Sequence, residues 1–341
     1  MSELVNYTPY ACDYTFARDT KGTEHFVVAV KGTFDFDGNP AGEQEPVLDG
    51  QRWFGEPAVS SLRYDSDLVL HKPYTDLILN ASAYAPPGRP ASRVDVGVRI
   101  GRWEKRLTVV GERVYQRSPV GYATGPIEPF ASMPIRYEVA YGGRAGEGSA
   151  AGYREQHDEN PVGLGWGTRD TVWAGRVLPS VFPYGKSLLN AGGKAKTAGF
   201  GAVPVSWAPR ARFGGTYDAA WARKRQPLPP KDFDPRYHQA APEDQQFKKG
   251  LRGGEVVELH HLTPDGQASF TLPTVAIGLE TYFGRPSERY RPELKTLIVE
   301  PTERRFMMVW QAYLPCQNRD HLISRTLIYQ KEHRLRREAN R

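Results

Sequence analysis

The chain is short of thiols and of long apolar runs. Its 341 residues include two cysteines, Cys12 and Cys316, near opposite ends. Two thiols allow at most one bridge and form no zinc pattern, so a disulfide scaffold is excluded, and two ordinary thiols in a reducing cytosol are expected. No stretch approaches the roughly 18 consecutive apolar residues of a membrane helix. Residues 1–16 lack a basic start and an apolar stretch, so a cytoplasmic protein without an export signal is expected. Phosphate loops of the GxxxxGK[ST] kind, a GxGxxG fingerprint after a strand, a GxSxG elbow and HExxH are all missing. No cofactor is therefore expected, and no repeat recurs at a period of 20–50 residues.

Turn-forming residues, by contrast, are plentiful. Glycine (34) and proline (28) make up about 18% of the chain, against roughly 12% in average usage. Long helices are disfavoured, while 39% hydrophobic residues suffice for a core. Charge is uneven. The overall balance is +6, but residues 1–56 hold four basic and ten acidic side chains, a net of −6, so the rest carries +12. Residues 331–341 are locally basic, with Lys331, Arg334, Arg336, Arg337 and Arg341. Such a tail raises nucleic-acid binding, but no set of stacking aromatics is interleaved with it, so a solvated terminus is the preferred reading.

Period-two alternation dominates. Over 25–36 one face reads Phe26, Val28, Val30, Gly32, Phe34, Phe36, and over 93–100 Val94, Val96, Val98 and Ile100 alternate with Arg93, Asp95, Gly97 and Arg99. Residues 103–110 return across Gly101 as a hairpin, and 77–84 form one further strand. Strands resume at 255–262, 268–272, 294–299 and 305–314, where Phe306, Met308, Trp310, Ala312 and Leu314 share a face. A helix is expected over 216–224, capped by Thr216 or Asp218 and ended by Pro227. The spacing of Leu327, Ile328 and Leu335 suggests another over 322–335. The expected fold is mainly β: antiparallel, sandwich-like sheets from both ends of the chain, a long loop-rich centre and few short helices. Residues 1–316 read as one domain, strand-rich over 1–130 and 251–316 and loop-rich over 131–250. Residues 317–341 read as a basic, helical tail.

Two polar clusters could carry chemistry. Asp232, Asp234 and His238, with Asp244 beyond, could hold a divalent ion for a metal-dependent hydrolase. The competing reading is a turn, because Asp before Pro235 bonds its own backbone. Arg63 with Asp65, Asp67 and Asp76 could be an acid–base site, or an ionic network that fixes strand register. The structural reading is preferred in both cases, so no catalytic, cofactor-binding or metal residue is assigned. Trp166, Trp173, Trp207 and Trp221 in the centre serve either as interface anchors or as pins for irregular backbone.

Ten motif blocks occur in order: Lys31-Gly32-Thr33-Phe34, residues 60–68, Lys72-Pro73-x-Thr75-Asp76, Met133-Pro134-x-x-Tyr137-Glu138, Tyr141-Gly142-Gly143, Asn160-Pro161-x-Gly163, Trp207-x-Pro209-Arg210, Gly215-Thr216-Tyr217-Asp218-x-x-Trp221, Asp232-Phe233-Asp234-Pro235-Arg236 and Leu251-Arg252-Gly253-Gly254-Glu255. Together they resemble the bacterial family catalogued as domain of unknown function 2169, over roughly 7–316. The resemblance implies a type VI secretion accessory protein. Its role would be that of an adaptor or chaperone that stabilises a toxic effector and helps load it onto the spike. The implied partners are the effector, a PAAR-repeat protein and the VgrG spike, bound through the loop-rich centre, with no membrane partner.

Overall fold

The computed structural model describes residues 3–57, 59–145, 155–187 and 191–330. It is mainly β, as the alternation requires. A six-stranded sheet runs in the order Gln246–Phe247, Thr75–Leu79, Glu293–Glu300, Arg305–Pro315, Glu24–Asp35, Ala11–Arg18. A five-stranded sheet follows the order Val181–Pro183, Trp103–Val110, Arg93–Ile100, Val256–His260, Gln267–Thr271. A four-stranded sheet runs Glu3–Asn6, Ile323–Gln330, Ile277–Phe283, Ser287–Tyr290. Most pairings are antiparallel, but Glu293–Glu300 lies parallel to Thr75–Leu79 and Glu3–Asn6 parallel to Ile323–Gln330.

One apolar core joins the three sheets. Phe26, Val28, Val30, Phe306, Met308 and Leu297 from the six-stranded sheet meet Val96, Val98, Leu107 and Leu259 from the five-stranded sheet and Leu279 and Ile328 from the four-stranded one. Phe26, Val28, Val30, Val96, Val98, Phe306 and Met308 are residues that alternation assigns to the inward faces. Full burial of one such side chain stabilises by about 1.5–3 kcal/mol. The expected 93–110 hairpin forms, with Ile100 opposite Trp103 across a turn at Gly101 with φ +57°. Such a short turn selects glycine, which tolerates positive φ at no steric cost.

Two expectations are corrected. Residues 77–84 do not form one strand. Thr75–Leu79 belongs to the six-stranded sheet, and Ser82–Tyr84 pairs instead with Ser132–Pro134. The break falls at Asn80, whose amide nitrogen donates to Arg63 O and to Glu300 Oε1. Nor is 323–330 helical; only a 3-10 turn, Asp320–Leu322, precedes it. Ile323–Gln330 is an inner strand of the four-stranded sheet, paired on both sides. Thr326 and Ile328 are buried between the less buried Arg325, Leu327 and Tyr329, and β-branched residues suit such a half-buried pleated surface. The fold therefore runs past residue 316, and the basic stretch 331–341 lies outside the described residues.

The centre is held by tight local geometry and a small second core of Val110, Tyr115, Tyr141, Trp173, Leu178 and Phe182. At Gly142, φ is +154° and a Cβ would lie 2.1 Å from Asn160 O, so only glycine fits. The Asn160 side chain in turn donates to Tyr137 O and Tyr141 O. The expected helix is shorter, Ala219–Lys224, with Asp218 accepting from Trp221 N at 2.7 Å. Among the described residues no helix is long and apolar enough to cross a membrane.

Candidate functional site

The other face of the six-stranded sheet is buried too, yet it is charged. Register places Lys31, Thr33, Arg305, Met307, Gln311, Thr296, Ile298, Glu300, Asp76 and Ile78 on it. Loop segments from 45–74 and 203–241 cover this face, and a small cluster of Leu62, Ile78, Ala202, Ala240, Ile298 and Met307 packs between them.

The buried charges Lys31, Asp76 and Glu300 on this face each have an opposite partner. Lys31 Nζ lies 3.0 Å from Asp67 Oδ2, with both side chains under 5% exposed. Asp67 also accepts from Leu48 N at 2.9 Å. Lys72 Nζ sits 2.8 Å from Asp76 Oδ2 and donates to Thr296 Oγ1. Asp76 accepts from the Gln239 side chain at 2.5 Å and from Ala240 N at 2.7 Å. Arg210, buried on its short helix Ala208–Ala211, pairs with Asp65 at 2.8 Å. Its remaining donors go to Val203 O and Tyr237 O. Unpaired, each of these groups would cost several kcal/mol to bury.

Glu300 is the hub at the far end of the sheet. It accepts from Arg63, Tyr64, Asn80 and Arg305, and Arg305 also reaches Glu45 at 2.7 Å. Burial alone would raise Glu300. The hydrogen bonds from Tyr64 and Arg305, with the charges of Arg305 and Arg63, outweigh it and hold the carboxyl below its ordinary value. At the start of the loop-rich centre Glu138 accepts from Ser61 N at 2.7 Å and from the Ser61 hydroxyl.

Arg63, Asp65, Asp67 and Asp76 thus do not gather into one acid–base site. Arg63 takes Glu300, and the three aspartates each take a separate cation. The register-fixing reading matches this geometry. The partners Lys31, Glu138, Arg210 and Glu300 were not assigned from sequence. Lys31 had a signal: a lone lysine in a run apolar on both faces needs a buried counter-ion.

Asp232, Asp234, His238 and Asp244 each have surroundings of their own. Asp232 accepts from Thr216 N and Oγ1, and these bonds lower its pKa. Asp234 accepts from Arg236 N and from its guanidinium, which likewise lowers it. Asp244 pairs with Lys105 at 2.8 Å. His238 is pushed down to about 4 by burial, and then by the charges of Arg210 and Lys72. Among the described residues no three His, Cys, Asp or Glu side chains are grouped so as to hold a metal ion. Cys12 and Cys316 are free, and burial raises each thiol to about 11, which disfavours the reactive thiolate. Trp173 and Trp207 are buried pins, whereas Tyr217 stands exposed.

A cleft of about 720 Å³ opens between Lys105 on the five-stranded sheet and the loop-rich centre at Tyr137, Lys196 and Arg212. Burial lowers the Lys105 ammonium, against the raising effect of Asp244. Gln245 also accepts from Lys105, at 2.7 Å.

No curated protein and no solved structure matches the chain. A family model described as an uncharacterized protein conserved in bacteria (DUF2169) matches residues 21–311. That match spans the six-stranded sheet from Glu24–Asp35 through most of Arg305–Pro315, including the ion pairs of Lys31, Lys72, Arg210 and Glu300, and the chain belongs to this family.

Proposed function

We propose that the protein is a cytoplasmic accessory factor of type VI secretion. It acts as an adaptor or chaperone that stabilises a toxic effector and presents it, with its PAAR-repeat partner, to the VgrG spike. The observation that carries this reading is where the motif residues are used. Lys31, Ser61, Arg63, Asp65, Asp67, Lys72, Asp76, Glu138 and Arg210 bond to one another or to Glu300, pinning irregular covering segments to a sheet. A protein that works by presenting surface needs such a rigid loop display, since preorganised loops lower the entropy cost of association.

The test is co-expression with the effector encoded beside it. Co-purification of a complex, and loss of effector stability when this chain is deleted, are the expected results. No complex at micromolar concentration together with unchanged effector stability would reject the reading. Metal analysis separates it from a metal-dependent hydrolase: a stoichiometric divalent ion lost on Asp234→Ala would favour the enzyme.

A further inference from the structure

Where the six-stranded and four-stranded sheets meet, a groove of about 500 Å³ is lined by residues from 73–75, 248–252, 275–277 and 291–295, with Trp310 at its base. Its floor is apolar and buried: Leu251, Ile277, Leu294 and Trp310 are each under 7% exposed. Its rim is cationic, with Lys248, Lys249, Arg252, Arg291 and Lys295 against one carboxylate, Glu293. That carboxylate is taken up by Lys295 at 2.6 Å. Lys249, Arg252 and Arg291 are exposed, and their side chains have no carboxylate partner among the described residues. Around the cleft cations outnumber the carboxylates Glu293 and Glu255, the latter accepting from Arg252 N and Gly253 N, in contrast with the matched pairs beneath the charged sheet face.

Both cation-bearing segments leave sheet edges. Lys248 and Lys249 continue Gln246–Phe247, the outer strand of the six-stranded sheet. Arg291 continues Ser287–Tyr290, the outer strand of the four-stranded sheet. Edge strands present unpaired backbone groups, which an extended polypeptide can use and a nucleic acid cannot. The floor aromatic is buried rather than offered as a stacking platform, and the half-buried Tyr74 ring already has Lys248 Nζ 6.0 Å above it. Single-stranded nucleic acid relies on exposed stacking faces.

We propose that this groove docks an extended acidic segment of a partner protein, with carboxylates on the rim and apolar side chains on the Trp310 floor. The inference rests on the reading of the protein as a binding scaffold, and it names the chemistry of one contact. The probe is a fluorescein-labelled octapeptide alternating glutamate and leucine, titrated into the full chain by anisotropy. Binding weakened about tenfold or more by the double variant Lys249→Glu/Arg291→Glu is expected, with weakening also as salt rises. Arg102→Glu and Lys224→Glu, exposed positions elsewhere, should leave affinity unchanged. Both groove positions are exposed, so the double variant should keep the native melting temperature, and Lys249→Ala/Arg291→Ala provides a milder second test. Absence of peptide binding, affinity unchanged from the native chain in both double variants, or tighter groove binding by octathymidylate would overturn the proposal. The peptide titration does not involve the effector, so its failure is distinct from failure of effector co-purification.

Discussion

The two faces of the six-stranded sheet are both buried, yet they are built differently. Even-numbered residues of Glu24–Asp35 and Arg305–Pro315 face an apolar core shared by three sheets. Odd-numbered ones face ion pairs under irregular loops. The apolar face is non-directional and tolerates repacking, whereas each charge on the other face must find a particular partner. The first face supplies cohesion. The second fixes where the covering segments lie, and so the shape of the loop surface.

The sharpest way to break this comparison is to orphan one charge. Asp67→Ala leaves the Lys31 ammonium buried and alone, and should cost about 3–5 kcal/mol by urea unfolding. On the other face Leu297→Ala should cost about 2–5 kcal/mol through lost burial and a cavity. Replacing the whole pair discriminates further. Lys31→Met/Asp67→Leu should recover most of the Asp67→Ala loss, because an apolar pair of similar volume removes the desolvation cost. A double variant no more stable than Asp67→Ala would show that the pair, or the bond from Leu48 to Asp67, is needed for more than charge balance.

Acid should separate the faces next. His238 has its pKa lowered to about 4 from an ordinary 6.5. Between those values the unfolded chain binds a proton that the folded chain refuses. Stability is therefore retained above about pH 6.5 and lost as pH falls toward 4, by on the order of 3 kcal/mol. The Glu300 carboxylate, held low, adds a further loss at more acidic pH. Melting temperature followed against pH should fall over this window in the native chain and less steeply in His238→Gln. The smallest effect is expected at the surface. Arg212→Ala removes an ion pair with Glu243 whose side chains are more than half exposed, and should change stability by less than about 1 kcal/mol.

Legibility in the sequence followed the range of the interaction. Strands at 25–36, 93–110 and 305–314 were readable because alternation is a property of neighbouring residues. The helix expected over 322–335 gives way to a strand over 323–330, because Leu327 and Ile328 suit either period and only pairing with Glu3–Asn6 and Ile277–Phe283 selects the strand. The Arg63–Asp67 stretch was readable as an ionic network, but its partners were not. Asp67 meets Lys31 across 36 residues and Arg63 meets Glu300 across 237. The acidic run at 232–244 shows the converse: side chains close in sequence were drawn apart by nearer partners at Thr216, Arg236 and Lys105.

By itself the sequence determined the β class, the inward apolar faces, the turn glycines and the motif blocks that mark the family. Each of these depends on local periodicity or backbone sterics. Only the tertiary structure decided that the second face of the central sheet is buried, which cation neutralises which carboxylate, and that cations at 248–252 and 291 share one groove. Those outcomes depend on which distant segments the closed sheets bring within a few ångströms.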